Sequence, residues 1–86
     1  MLPRLVLDCE KQLGPLRAAL RASDPDTLRR GAHTIRSSAA VFSAHRIVDA
    51  ARVIEEASGD QDVDLIEGHI EVLAAEIERV KALSFE

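Results

Sequence analysis

Residues 27–42 read TLRRGAHTIRSSAAVF. On a helix advancing about 100° per residue, Leu28, Ile35 and Ala39 fall within about 20° of one line. Ala32 and Phe42 lie about 40° to either side of it, completing an apolar seam with 4-3-4-3 spacing. His33 points about 140° away from that seam, toward solvent. Arg29, Arg36, Ser37 and Ala40 share its open face, with Arg30 at the edge. An imidazole therefore stands on the outside of an amphipathic helix, among guanidinium groups and small side chains. A histidine serving only the core would face inward.

Three further helical patterns flank this one. The first runs from about Leu2 to Ala22, with Leu2, Val6, Cys9, Leu13, Leu16 and Leu20 on one line. Gly14-Pro15 interrupts it, and an interior proline removes a hydrogen bond and bends a helix. Because the seam keeps its phase through Pro15, one kinked helix is expected, with two short helices as the alternative. Ser23-Asp24-Pro25-Asp26 is a stop and restart, with Asp24 as N-cap and Pro25 at the first helical position. After a tight turn at Ser43-Ala44, a third helix is expected from about Ala44 to Ala57, with Ile47, Ala51 and Ile54 inward. Its small inner residues (Ala50, Ala51, Ala57) permit close approach of a neighbour. Gly59, in Ser58-Gly59-Asp60, is expected to end it in the left-handed conformation. The fourth helix starts near Asp62 or Asp64 and runs to about Leu83, with Ile66, Ile70, Leu73, Ile77 and Val80 in phase. Four amphipathic helices on short loops predict an all-α, up-down-up-down antiparallel four-helix bundle, a single domain over residues 1–86.

Composition narrows the function. Apolar residues are 47% of the 86, enough for one core. Trp and Tyr are absent and there are only two Phe, which leaves little for base stacking. With a net charge of −4 as well, no nucleic-acid partner is expected. A single cysteine excludes an internal disulfide and a cysteine metal cluster. No apolar run approaches 18 residues and acids come early in MLPRLVLDCE, so neither a membrane span nor a signal peptide is expected. The reading is a cytoplasmic monomer without a membrane partner.

Charge is unevenly distributed. From Thr27 to Val48 there are four arginines (Arg29, Arg30, Arg36, Arg46), two histidines and no acid; from Val53 to Glu78 there are nine acids and no Lys or Arg. Solvated faces explain such runs in general. With His33 inside the basic region, a site that attracts a dianion or a carboxylate-lined pocket explains both features.

The segment AHTIRSSAAVFSAHRI, Ala32 to Ile47, resembles the phosphoacceptor motif of histidine-containing phosphotransfer (HPt) domains, roughly A-H-x-L-K-G-S-A-x-x-x-G. His33 matches the phosphoacceptor, Ile35 the core position, Arg36 the lysine and Ser38-Ala39 the small pair. The likeness extends along nearly the whole chain: the first helix with its internal proline, Asp24 before the second helix, the VIEEA ending of the third and the acidic fourth. Ser37 stands where the family usually has the glycine beside the histidine, and Ser43 where the interhelical glycine falls. The resemblance implies a phosphorelay carrier that takes a phosphoryl group on His33 and exchanges it with the aspartate of response-regulator receiver domains in two-component signalling. Arg36, Ser37, Arg29, Ala40 and Arg30 would contact the phosphate or the partner, with a histidine kinase as a second partner. The receiver supplies the carboxylate and the metal, and the carrier is not an enzyme and needs no cofactor. The rival is a pseudo-HPt helical adaptor that binds a receiver or kinase domain without accepting phosphate.

The chemistry fits without the name. An imidazole with one free ring nitrogen is a nucleophile near neutral pH, and a phosphoryl group on it would bring about two negative charges to the arginines. No phosphate-binding glycine loop or other nucleotide-binding motif occurs. His45 and His69 read as structural or merely exposed. No Glu-x-x-His pair offers a bundle metal site, and no acid–base pair flanks Ser37 or Ser38, whose hydroxyls are expected to bond back to i−4 carbonyls.

Overall fold

The computed structural model describes residues 4–41, 45–60 and 62–83, apart from the Leu5 side chain. It consists of α1 (Arg4–Arg21), α2 (Pro25–Val41), α3 (His45–Asp60) and α4 (Val63–Leu83). Among the described residues, α2 packs on α1 and α3, and α4 closes against α3 and α1. Sequence neighbours are thus spatial neighbours around an up-down-up-down antiparallel bundle.

Each apolar seam becomes the buried face of its helix. Val6, Cys9 and Leu16 from α1 meet Leu28, Ala32, Ile35 and Ala39 from α2, Ile47, Ala51 and Ile54 from α3, and Ile66, Ile70, Leu73 and Ile77 from α4. Leu13, Leu20 and Val80 are only partly buried at its margin. Ala50 and Ala57 join the core as their size suggested. Leu2, Phe42 and the expected Ser43-Ala44 turn lie outside the described residues. Gly31 is also buried, where α2 crosses Leu16 of α1. The helix α1 continues through Pro15 as a single element, with the proline on its exposed side.

Burial pushes the Cys9 thiol up to about 11, with Asp8 adding to the effect. It stays protonated and inert inside the bundle.

The α1–α2 junction is built by hydrogen bonds. The Asp24 N–H donates to the Ala19 carbonyl at 2.9 Å and the Ser23 N–H to the Leu20 carbonyl at 3.2 Å, the pattern that closes a helix through a left-handed residue. Ser23 fills that position with φ 56°, where a side chain is disfavoured. Ser23→Gly should therefore stabilise the fold by up to about 1 kcal/mol, measured by chemical denaturation.

Asp24 then caps α2 as expected. Its carboxylate accepts from the Thr27 N–H at 3.2 Å and from the Thr27 hydroxyl at 2.6 Å. These bonds hold its carboxyl below the ordinary value of 3.8, the hydroxyl bond contributing most. A lowered carboxyl stabilises the fold above its unfolded pKa and loses that effect as pH falls through the folded one. Asp24→Ala should lower the melting temperature at neutral pH, and the gap to the parent should close in acid, below the ordinary value of 3.8.

The end of α3 departs from expectation. Gly59 has no positive φ, and the helix runs through it to Asp60. Ser58 is buried and donates its hydroxyl to the Glu55 carbonyl at 2.7 Å, so the last turn is held from within the helix. The next start is set by Asp62, whose carboxylate accepts from the Leu65 N–H at 3.3 Å. Between α1 and α4, Arg17 pairs with Glu71 at 2.9 Å, and Lys81 bridges Glu10 and Glu78.

Candidate functional site

His33 lies midway along α2 on the flank that faces α3, and its side chain is 58% exposed. Ala32 and Ile35, on the opposite side of the same turn, are fully buried, so packing holds the backbone under the imidazole rigid. Across the α2–α3 groove, Glu55 reaches His33. Its Oε1 is 3.1 Å from His33 Nδ1. Glu55 is itself largely shielded, at 16% exposure.

Arg36 completes the cluster one turn further along α2. Its Nε lies 2.8 Å from Glu55 Oε2 and its Nη2 lies 3.2 Å from His33 Nδ1. The Oε2 atom is buried and takes no aligned hydrogen bond, so its contact with Nε is an ion pair of opposite charges. One carboxylate therefore meets an imidazole through one oxygen and a guanidinium through the other. Both contacts engage the Nδ1 side of the ring, which leaves Nε2 on the open side.

The other expected site residues fall in different places. Ser37 and Ala40 are exposed on the outer surface of α2, Ala40 two turns beyond His33. Arg29 is on the same flank, but its guanidinium turns back to Asp26 at 3.0 Å. Arg30 lies on the opposite flank, where it lines the α1–α2 groove with Gln12, Leu16 and Thr34. Thr34 is the α2 side chain that bonds back to an i−4 carbonyl, that of Arg30, at 3.0 Å; among the described residues Ser37 and Ser38 make no such bond. His45 is exposed at the start of α3, and His69 Nδ1 lies 2.9 Å from the Leu65 carbonyl. Ser43 is outside the described residues, among which no cluster of metal-ligating groups occurs.

A family model for the Hpt domain matches residues 1–83. The chain belongs to the Hpt domain family. Comparison with curated proteins and with solved structures yields no match. Hpt domains are helical bundles that serve histidine phosphotransfer in phosphorelay signalling, as carriers rather than catalysts, with receiver domains and kinases as partners. Among the described residues, no helix of this Hpt domain is long and apolar enough to cross a membrane.

Glu55 is the site residue that the sequence did not reveal. It belongs to the acidic half of the chain, apart in sequence from the basic helix. Folding sets α3 beside α2 and brings the two charge types together at one histidine. The basic field around His33 thus contains its own carboxylate. One signal was available: Glu55 immediately follows Ile54 of the α3 core line, which puts it about 100° from that line, on the flank of the helix.

Proposed function

We infer that His33 Nε2 is the phosphoacceptor of this Hpt domain and that it exchanges the phosphoryl group with the aspartate of a receiver domain. The observation that carries this reading is the Glu55 contact at Nδ1, made by a ring that is otherwise open to solvent. In neutral imidazole one nitrogen carries the proton and the other a lone pair. A carboxylate accepts, so the Glu55 contact favours the proton on Nδ1 and the lone pair on the outward Nε2. One nitrogen cannot donate to Glu55 and accept from Arg36 in the same tautomer. With Arg36 already neutralised at Oε2, the Glu55 pairing prevails.

The transfer follows from that arrangement. The Nε2 lone pair attacks the phosphorus of the receiver's aspartyl phosphate, the P–N bond forms, and the P–O bond breaks with its electrons on the departing carboxylate. The ring becomes a cation that keeps its Nδ1 proton, and Glu55 faces that new charge across 3.1 Å. Reversal returns the group to a receiver. Arg36 aligns Glu55 and supplies positive charge near the phosphoryl oxygens, while Arg29, Ser37 and Ala40 form the surface on which the receiver docks. Arg30, turned toward α1, has no part in it.

Incubation with a labelled phospho-receiver tests this reading. Acid-labile, alkali-stable label should appear on the parent and be absent from His33→Gln, whose circular dichroism should match the parent because His33 contributes no core contact. Label retained by His33→Gln would refute the assignment; a parent that binds the receiver but takes no label would make the chain an adaptor.

A further inference from the structure

The α3–α4 side of the bundle carries a second set of spaced residues that the relay reading does not use. On α4, Leu65, His69, Val72, Glu76 and Arg79 repeat at the 4-3-4-3 spacing of the core seam, displaced from it by one residue. Two of them are large apolar side chains left in solvent, Leu65 at 41% exposure and Val72 at 44%. On α3, Arg46, Asp49 and Val53 face them across the groove, and Asp60 follows Val53 by two turns in the same helical phase. Between the helices lies an open groove of about 280 Å³, lined by Arg46, Val53, His69, Val72 and Glu76 among others.

Charge along this face is graded. Toward the α3–α4 turn stand Glu56, Asp60 and Asp64, exposed and without ion pairs among the described residues. At the other end Glu76 is shared by Arg46 at 3.4 Å and Arg79 at 3.8 Å, and Asp49 pairs with Arg52 at 3.2 Å, so three guanidiniums face two carboxylates and that end is positive. Val53 is the midpoint between Arg46 and Asp60 on α3, and Val72 is the midpoint between Leu65 and Arg79 on α4. The face therefore has an apolar centre and ends of opposite sign.

We propose that this face binds a second copy of the chain, in an antiparallel two-fold dimer centred on Val53 and Val72. A two-fold axis lying across the helices reverses the direction of the second copy, so α3 opposes α3 and α4 opposes α4. Arg46 then meets Asp60 of the second copy and Arg79 comes over Leu65 of the second copy, beside Asp64, each pair occurring twice, while the valines close on one another. An axis along the helices would set acids against acids, and the charge gradient rejects it. His33, on α2, meets the opposite flank of α3 through Glu55, so both phosphoacceptor faces stay open. The proposal goes beyond the relay reading and does not depend on it.

Sedimentation equilibrium of the full chain, from about 10 µM to about 1 mM, tests the dimer. The parent should dimerise reversibly, more weakly at high salt. Val72→Glu and Arg46→Glu should each raise the dissociation constant at least about tenfold. Arg46→Glu combined with Asp60→Arg should restore association, since the swapped charges meet again across the axis. Both swaps suit the helix dipole of α3, Arg46→Glu sets a second carboxylate against Glu76, and circular dichroism checks the fold of each variant. A parent that stays monomeric at about 1 mM overturns the proposal, as does association unaffected by Val72→Glu or a double swap that fails to restore it. Phosphoryl uptake by Val72→Glu, measured separately, should match the parent whichever way the dimer test falls.

Discussion

Glu55→Ala should take up phosphoryl groups from a receiver at least about tenfold more slowly than the parent, with its fold unchanged. Removing the carboxylate frees Nδ1 to accept from Arg36 Nη2, now 3.2 Å away without a competitor. The proton then sits on Nε2, which is no longer a nucleophile. A carboxylate that fixes the tautomer of a reacting histidine and faces the cation it becomes is known to carry a large rate effect. Stability changes little, because Arg36 is near enough to solvent to be hydrated. Glu55→Gln keeps an acceptor oxygen and loses the charge, so it should fall between the two. Single-turnover transfer kinetics give the comparison, and an Ala variant as fast as the parent would leave Glu55 a bystander.

The largest effect on stability is expected at Gly31. A Cβ there would stand 2.9 Å from Leu16 Cδ2 and 3.4 Å from its Cγ, and Leu16 is fully buried. Gly31→Val forces α1 and α2 apart or Leu16 off its rotamer, which should cost about 1–3 kcal/mol. In a domain of this size that lowers the melting temperature by roughly 4–8 °C for each kcal/mol. Gly31→Ala sets the same contact against better helix propensity, a gain of up to about 1 kcal/mol, and should come out much closer to the parent. Thermal unfolding of both variants separates crowding from propensity. A valine variant as stable as the parent would show that the helices yield easily at this crossing.

The bundle was legible because its information is local. Leu28, Ala32, Ile35 and Ala39 reveal a buried face by spacing alone, and Asp24-Pro25 marks the start of α2 by the chemistry of a cap. Helix endings were less so. Gly59 has the composition of a C-cap, yet α3 runs through it to Asp60, and Ser23 takes the left-handed position that glycine usually fills. The candidate site was half visible. Facing angles show that His33 points outward and that Arg36 shares its flank. They do not show that Arg29 prefers the adjacent Asp26, or that Glu55 arrives from 22 residues away. Side-chain pairing across a groove depends on how the helices dock, which no single helix encodes.

The role proposed for Glu55 is to direct the phosphoryl group to Nε2 of His33. Nitrogen-resolved NMR of the chain after phosphorylation by a receiver reads the bonded nitrogen directly. A phosphorus coupling to Nε2 of His33, with the Nδ1 proton retained, is the predicted result. A phosphoryl group found on Nδ1, or on His45 or His69, would contradict it.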